Sequence, residues 1–426
     1  MSRGRSTRAI KNDIAIRAAA AQMILTVGVD GLAFRDVAKA AKLTHGAIYA
    51  RFEDVEELLV DLWSNSLAKR AISLFEVVSR AVARPTTESV EKVMDRVRHP
   101  LPEDIVMIKV LWTSRRHVIV HEEVESFIHD YLETGNPDMP ESLRSRTLCL
   151  FSFVMLALFA SYQSRLEEQD LDNFEEMIYE TVAFHADDAK TAVFIEPIVR
   201  EITLSKGDFR SQLAYHTFLA VGKSGYSRAT ISRISRRADC SPGAIYKIFP
   251  SKEDLVIEAV NANMTAPWIR IATLATILDP GNLAQIFYSA ASTENSACKH
   301  FVLEVTMASA YNDKLRTAVS RRMSDIESVA PLIGGLSDYE VAQLRSMIRF
   351  ITFATVGVSY LSTVTKVTDH VDFNQFAEPA RQSMLKILVP SWPAIRRQLE
   401  NISNSARDHS PSTNEVATLH REISTT

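Results

Sequence analysis

Apolar residues recur at helical spacing along most of the chain, and the alternation that marks strands is weak. Near the start, Ile16, Ala20 and Ile24 fall on one face of a predicted helix, with mostly polar residues opposite them. The segment 54–190 and the segment from Lys252 onward continue this pattern, with breaks at positions that contain proline or glycine. The pattern predicts an all-α protein.

A short motif occurs twice, 197 positions apart. The first copy runs from Gly46 to Phe52 as Gly-Ala-Ile-Tyr-x-x-Phe, and the second runs from Gly243 to Phe249. Further pairs at the same offset are Gly28 with Gly225, Ala41 with Ala238, Glu56 with Glu253 and Leu58 with Leu255. Matches at one fixed offset indicate an internal duplication.

Each copy has the layout of a helix-turn-helix. Glycine closes the first predicted helix in both copies, at Gly28 and Gly225, as glycine does just past a helix C-terminus. A short second helix follows. After a turn of about three residues, Thr44 or Ser241 is placed to cap a third helix by accepting a hydrogen bond from its free N–H groups.

The third helix has one face that points into the core and one face that is available for contacts with a ligand. Ile48 and Phe52 are four positions apart and point into the core, whereas His45, Gly46 and Tyr49 fall on the outward face. The outward face of such a helix fits the major groove of DNA, with its N-terminal residues nearest the base edges. A helical glycine costs about 1 kcal/mol relative to alanine. Its presence in both copies indicates close approach of the backbone to a phosphate or a base edge.

At these residues the chain resembles the tetracycline-repressor (TetR) family of bacterial transcription regulators. The family pattern runs Thr-x-x-x-Ile-Ala-x-x-Ala-Gly-Val-Ser-x-Gly-x-Leu-Tyr-x-x-Phe and then x-x-Lys-x-x-Leu. The matching residues are Val37, Ala38, Ala41, Thr44, Gly46, Ile48, Tyr49, Phe52 and Leu58 in the first copy, and Thr230, Ile234, Ala238, Ser241, Gly243, Ile245, Tyr246, Phe249, Lys252 and Leu255 in the second.

The resemblance implies two tandem TetR-like units, each with a three-helix helix-turn-helix DNA-binding domain and a helical ligand-binding and dimerisation domain. It also implies a transcriptional repressor whose partners are double-stranded DNA and a small-molecule effector, with no cofactor and no enzymatic activity. The predicted domains are a basic arm (1–9), a first head (10–58), a first helical regulatory domain (59–195), a linker (196–206), a second head (207–256), a second helical regulatory domain (257–398) and a disordered tail (399–426).

Positive charge is concentrated in two windows of the sequence, each of which contains one copy of the repeated motif. The formal net charge is −4, but residues 1–52 carry +6 and residues 206–252 carry +7, which leaves −17 for the remainder. Two basic modules on an acidic body are typical of a protein that contacts phosphate through one face only.

By resemblance, the outward residues of both heads contact DNA. The predicted DNA-binding residues are Arg35, Thr44, His45, Gly46, Tyr49 and Arg51 in the first head, and Thr230, Ser232, Ser241, Pro242, Gly243, Tyr246, Lys247 and Lys252 in the second. The first head departs from the family pattern, because Val55 stands where the second head has Lys252, and Glu53 and Asp54 precede it. The alternative that only the second head binds DNA therefore stays open.

The resemblance also implies an effector cavity among the regulatory helices. Residues predicted to line it are Trp112, Phe127, Tyr131, Phe301, Met307 and Tyr311. Aromatic and methionine side chains at helical spacing are more often part of an ordinary core.

A row of ionisable residues raises an alternative from another class of function. His117, His121, Glu125 and His129 recur every four positions, a spacing compatible with a metal site or with a helical hydrolase. The motif of zinc proteases is incomplete here, and neither a glycine-rich phosphate loop nor a nucleophile elbow occurs. We therefore predict no metal site and no catalytic residues.

The cysteines, the longest apolar run and the predicted long helices bear on location and assembly. Three widely spaced cysteines predict reduced thiols in a cytoplasmic, nucleoid-associated protein. The apolar run 148–160 is shorter than the roughly twenty residues that span a bilayer, which favours a buried helix and no membrane partner. The long helices predicted near 143–167 and 338–365 are expected to pack on each other in an intramolecular pseudo-dimer, with a homodimer of whole chains as the alternative.

Overall fold

The computed structural model describes residues 7–134, 140–183, 208–263, 281–292, 296–328, 330–332 and 336–388. The predicted linker and the predicted disordered tail lie outside the described residues, as do residues 1–6 of the predicted arm. The first helix begins at Thr7, so the last three residues of the predicted arm are helical. Every regular element in the described part of the chain is helical, which confirms the all-α prediction.

The first half contributes ten α-helices among the described residues. They are α1 (Thr7–Val27), α2 (Phe34–Ala40), α3 (His45–Tyr49), α4 (Val55–Leu62), α5 (Ala68–Ala83), α6 (Thr87–Arg98), α7 (Pro102–Thr113), α8 (Val118–Ile128), α9 (Glu141–Tyr162) and α10 (Glu168–Ala183).

The second half contributes nine in its described segments. They are α11 (Phe209–Ser224), α12 (Ile231–Arg237), α13 (Pro242–Tyr246), α14 (Lys252–Asn263), α15 (Gly281–Ala291), α16 (Ser296–Ala308), α17 (Asp313–Glu327), α18 (Asp338–Leu361) and α19 (Asn374–Leu388).

The predicted helix-turn-helix layout is present in both heads. Gly28 and Gly225 adopt φ angles of 75° and 81° at the ends of α1 and α11, in the region that favours glycine. Thr44 and Ser241 each accept a hydrogen bond from a backbone N–H at 3.2 Å and so cap α3 and α13.

One helix cap differs between the two copies. Thr230 caps α12 by accepting a hydrogen bond from the Arg233 N–H at 3.3 Å. Ala33, at the same position before α2, offers no side-chain acceptor. Loss of such a cap costs about 1 kcal/mol of helix stability.

Helix α9 forms the centre of the regulatory core. Its residues 145–160 are all buried, and α18 of the second half packs along it. Among the described residues it is the one helix long and apolar enough to cross a membrane, but the protein itself covers that surface. The run 148–160 is therefore a buried helix, as predicted.

The two halves join through a four-helix arrangement of α9 and α10 with α18 and α19. Polar groups cross this seam: Arg349 of α18 pairs with Asp170 of α10, and Asn173 donates to Ser346 at 2.9 Å. Arg349 also binds Glu327 of α17, in its own half, at 2.6 Å. The helices predicted to pair across the halves do pack together.

The end of α9 differs from the predicted one. The helix stops at Tyr162 because Ser164 takes a left-handed conformation, with φ of 53°. The Arg165 N–H then bonds back to the Ala160 carbonyl at 3.1 Å and closes the helix. The apolar pattern does not predict this turn. Serine rarely adopts a left-handed conformation, so Ser164 gives no signal in the sequence that the helix ends there.

The described residues form two hydrophobic cores of unequal size. One continuous core runs from the first head through both regulatory regions, whereas the second head has a core of its own. Phe301 and Val305 of α16 belong to that second core, and Phe301 contacts Phe218 of α11 at 5.0 Å between ring centroids. Helix α16 therefore connects the second head to the regulatory body.

Gly357 provides a test of the seam. A Cβ atom at this position of α18 would overlap the Ser152 carbonyl of α9, and a backbone atom cannot move aside cheaply. We expect Gly357→Ala to lower the free energy of unfolding in urea by about 1–3 kcal/mol, the usual cost of overpacking.

The matched control is Gly46→Ala, since no heavy atom lies within 4 Å of a Cβ at Gly46. This control should leave stability unchanged or raise it slightly. Equal unfolding curves for Gly357→Ala and the wild type would contradict the close packing of α9 on α18.

Candidate nucleic-acid interface

The third helix of each head presents one face to the core and one to solvent. Ile48 and Ile245 are fully buried, whereas Tyr49 and Tyr246 are 55% and 56% exposed. A tyrosine whose ring is anchored and whose hydroxyl is exposed is well suited to contact a DNA backbone.

Tyr49 is held by its neighbours. Its ring meets Phe34 at 5.1 Å and His45 at 4.8 Å between centroids, both edge-on. These contacts restrict the side chain before any ligand arrives. The predicted residues His45, Gly46 and Tyr49 therefore lie together on one exposed face of α3.

The second head repeats the arrangement with different chemistry. Pro242, Gly243, Tyr246 and Lys247 are all exposed at α13. A Cβ at Gly243 would meet only the Ser241 hydroxyl oxygen, at 3.8 Å, so the surface above this glycine is open. Both recognition helices thus leave room for an approaching backbone or base.

The predicted hydroxyl residues cap helices and remain exposed. Thr44, Ser241 and Thr230 are exposed, and each accepts a backbone N–H as a helix cap. A hydroxyl that accepts in this way still has its own hydrogen to donate, for example to a phosphate oxygen. Ser232 is likewise exposed on the first turn of α12.

The predicted cations fall into two groups. The Arg35 side chain is 84% exposed and Lys247 is exposed, so both are available to an anion. Arg51, in contrast, bonds Asp13 at 2.6 Å and the Ala47 carbonyl at 2.9 Å.

Lys252 is also engaged within its head. Its ammonium donates to the Tyr226 carbonyl at 3.0 Å and lies 3.8 Å from the centre of the Tyr226 ring. Burial lowers the pKa of Lys252. A contact between Lys252 and phosphate requires the ammonium to leave this carbonyl.

The acids of the first head serve α4. Asp54 accepts from the Glu57 N–H at 2.9 Å, and the Glu57 carboxylate accepts from the Glu53 N–H at 2.6 Å. Negative side chains at the start of a helix stabilise it. This pair of bonds gives a structural reason for the acids beside Val55, where the second head has Lys252.

Comparison with known proteins agrees with this geometry. The family of bacterial regulatory proteins named tetR matches residues 16–62 and again residues 221–259. The chain is a tandem member of the tetR family. The family assignment makes it a DNA-binding transcription regulator with two tetR-type heads. No curated protein matches the chain significantly.

The predicted effector residues are spread over several places in this tetR-family chain. Trp112 is fully buried and contacts Phe159 and Tyr360, while Phe127 contacts Tyr131 at 5.2 Å. Met307 is buried in the same large core as Trp112.

The other two lie near the second head. Phe301 belongs to the core of that head, and Tyr311 lies beneath Gly28 of the first head. Among the described residues no aromatic contact joins Trp112 to Phe127, Phe301 or Tyr311. The six residues therefore do not form one aromatic cluster in this part of the chain.

The histidine row is divided as well. His117 is buried just before α8, 3.8 Å from Asp30, while His121 lies 3.7 Å from Glu125 nearer the surface. Within the described segments no group of three histidine, cysteine or acidic side chains is placed to hold a metal ion. The three cysteines form no disulfide, and burial raises the pKa of Cys149.

The equivalent glycines of the two heads both lie at contacts with the other half of the chain. A Cβ at Gly28 would touch the Tyr311 ring of the second half at 3.0 Å. A Cβ at Gly225 would overlap Asp30 and would lie 2.8 Å from Nη1 of Arg116, both in the first half. Each head thus packs against the other half at the same position of the repeat.

A buried ionic cluster holds this junction together. Arg116 bonds Asp30 at 2.6 Å and Glu304 at 2.9 Å, and Arg115 bonds Glu304 at 2.8 Å. All four side chains are less than a tenth exposed. Burial raises the pKa of Glu304, and the two guanidinium groups oppose that rise. The cluster links the first head to both regulatory regions.

Lys109 of α7 holds the first head through hydrogen bonds to α1. Its ammonium donates to the carbonyls of Ile24 and Leu25, at 3.0 and 3.2 Å, near the end of α1. Burial lowers the pKa of Lys109 to about 8. The contact adds a donor at this helix end, where the Ile24 carbonyl also accepts from the Gly28 N–H at 3.2 Å.

The ionic cluster around Arg116 was not predicted from the sequence. The available signals were Glu304, a lone acid within an apolar helical run, and the Arg115-Arg116 pair after the apolar helix α7. Charged residues at such positions are rarely buried unless they are paired. Their partners, however, lie far away in sequence, so the pairing itself was not predictable.

Arg116→Met tests the junction. Removal of the guanidinium takes from buried Asp30 its partner at 2.6 Å and leaves buried Glu304 with Arg115 alone, and we expect the free energy of unfolding to fall by about 3–5 kcal/mol. Arg35→Met makes the same chemical change at an exposed pair, 3.5 Å from Asp36, and should cost less than about 1 kcal/mol. Equal losses in urea unfolding would show that the cluster does not hold the halves together.

Proposed function

We propose that this protein is a transcriptional repressor that binds a short, imperfectly palindromic DNA site through both heads. The observation that carries the proposal is the division of α3 and α13: their apolar residues are buried, whereas Tyr49 and Tyr246 are exposed beside open glycines. The positive charge of residues 1–52 and of residues 206–252, +6 and +7, supports the same conclusion.

The heads carry different base-contacting residues. His45 has ring nitrogens that donate or accept hydrogen bonds, whereas Pro242 at the equivalent position offers an apolar surface that suits a thymine methyl group. Two unequal heads favour two unequal half-sites. This difference is the reason for proposing an imperfect palindrome.

One chain supplies both halves of the proposed regulator. The packing of α9 and α10 on α18 and α19 supports this proposal, because members of the family typically dimerise. The reciprocal contacts at Gly28 and Gly225 support the same pseudo-dimer. We propose that this protein acts in the cytoplasm, at the nucleoid, as a single chain per DNA site.

A small effector releases the DNA in this proposal. Trp112 is fully buried, and its Nε1 has no hydrogen-bond partner among the described residues, as expected where a ligand supplies the acceptor. Trp112 contacts Tyr360, and the Tyr360 hydroxyl lies 2.8 Å from that of Thr306 on α16.

Helix α16 offers a route from this region to the heads. It also carries Glu304 of the junction and Phe301 of the second head core. An effector that displaces Trp112 and Tyr360 would therefore shift both heads through one helix.

A second candidate function is that the second head alone binds DNA. The acidic pair Glu53 and Asp54 beside Val55 favours it, because acids near phosphates oppose binding. A helical hydrolase is less favoured, since His117 is buried at the junction and separated from His121.

Lys247→Ala tests DNA binding by the second head. We expect weaker binding to the DNA upstream of the gene that encodes this protein. The slope of log affinity against log salt concentration should also be lower by about one unit, because one phosphate contact is lost. Lys92→Ala removes an exposed lysine of α6 and is the matched control, with no expected change. Fluorescence anisotropy across a series of salt concentrations gives both slopes.

Tyr49→Ala and Tyr246→Ala extend the same assay to each head. If both heads bind, each substitution weakens binding to the intact site, and hydroxyl-radical footprinting loses protection over a different half. If Tyr49→Ala has no effect while Tyr246→Ala does, the second head acts alone. No retardation of the upstream DNA at moderate salt would contradict the proposed function.

A further inference from the structure

A strongly basic cleft of about 710 Å³ lies between the second head and the turn that follows α7. Arg115 and Arg116 line its first-half side. The opposite side carries five cations from the second head, namely Lys223, Arg228, Arg233, Arg236 and Arg237. Its volume falls within the range of small-molecule sites.

The charge of the cleft is largely uncompensated. No acidic residue of the described chain is among those that line it. Asp30 and Glu304 behind it neutralise Arg115 and Arg116, and Arg228 reaches Asp30 at 3.5 Å.

The remaining four cations form no ion pair with any described residue. Arg233 and Arg236 donate only to backbone carbonyls, at 3.3 and 3.2 Å. Four like charges in one concave surface create a strong field for a small anion.

The repeat shows that the shared DNA-binding template does not require these cations. At the offset of 197 positions, Lys223, Arg228, Arg233, Arg236 and Arg237 correspond to Thr26, Gly31, Asp36, Lys39 and Ala40. Only one of the five positions is basic in the first head, and one is acidic. The cluster is therefore a property of the second head alone.

Arg115 provides an independent sign of a ligand. Its side chain is only 9% exposed, and its Nη2 donates to Glu304 at 2.8 Å and to the Gly222 carbonyl at 3.1 Å. Its Nε, however, is buried and has no partner among the described residues. An unsatisfied donor of a buried arginine is costly unless a bound acceptor completes it.

From these observations we propose that the cleft binds a small anion with two or more phosphate groups. The exposed arginines of α12 would hold its outer charges, and Arg115 would donate to its innermost oxygen. Arginine favours phosphate because its planar donors match two oxygens at once. Such a ligand would bridge the second head to the end of α7 and so restrain that head.

DNA phosphate is the competing occupant, and burial argues against it. Arg115 and Arg116 are less than a tenth exposed and face the cleft from the body side. A duplex backbone contacts exposed side chains, whereas a small anion reaches a recessed one. The proposal concerns the free protein and does not depend on DNA binding.

Isothermal titration calorimetry of the full chain with inorganic pyrophosphate, without DNA and at fixed ionic strength, tests the site. We expect one saturable site per chain, with inorganic phosphate bound more weakly. The double variant Arg233→Ala/Arg237→Ala should weaken pyrophosphate binding by about tenfold or more, since two charge-assisted contacts are lost. Both arginines are exposed, so the variant is expected to fold.

The matched control is Lys11→Ala/Lys39→Ala, which removes two exposed cations from the first head and should leave pyrophosphate binding unchanged. Pyrophosphate should also raise the Tm of the wild type and not of the arginine variant. Any one of three results would overturn the proposal. These are no saturable binding of pyrophosphate, an equal loss of pyrophosphate affinity in the control variant, or a double arginine variant that loses DNA affinity while it retains its affinity for pyrophosphate. Because the titration contains no DNA, its failure is distinct from failure of the repressor proposal.

Discussion

The arrangement of this protein depends on one buried guanidinium. Arg116 binds Asp30 of the first head and Glu304 of the second regulatory region, and it lies against Gly225 of the second head. A buried arginine is stable only when its charge is matched and its donors are satisfied. Because its partners come from three parts of the chain, those parts are held in one relative position. Glycine at position 225 is required as much as the charges are, since a side chain there would displace them.

The second constraint is the close packing of α9 on α18. Gly357 permits the two helices to approach until the Ser152 carbonyl occupies the space of a Cβ. Together, the seam and the junction pack the two halves into one body that carries two heads of unequal chemistry. Trp112, Tyr360 and Thr306 lie between these two regions, so a ligand that disturbs them acts where the halves are coupled. Regulation through small shifts at a packed interface is common because such interfaces have discrete arrangements.

Much of the fold and of the head surface follows from local sequence. The glycines at 28 and 225, the caps Thr44 and Ser241, and the inward position of Ile48 were predictable because each depends on residues within a few positions. Arg51 and Lys252 show where this reasoning ends. Their type suggested phosphate contacts, but Asp13 and Tyr226 engage them within the heads, which only the three-dimensional structure reveals. The basic cleft was missed for the same reason: its cations were counted as part of the charge of the head, and their convergence with Arg115 is a long-range contact.

We propose that one chain provides both halves of a DNA-binding pseudo-dimer. Native mass spectrometry of the protein on a duplex that spans its footprint counts the chains on one DNA site. We expect a complex with one chain of 47.6 kDa per duplex. A complex that contains two chains per short duplex, with no one-chain species at limiting protein, would contradict it.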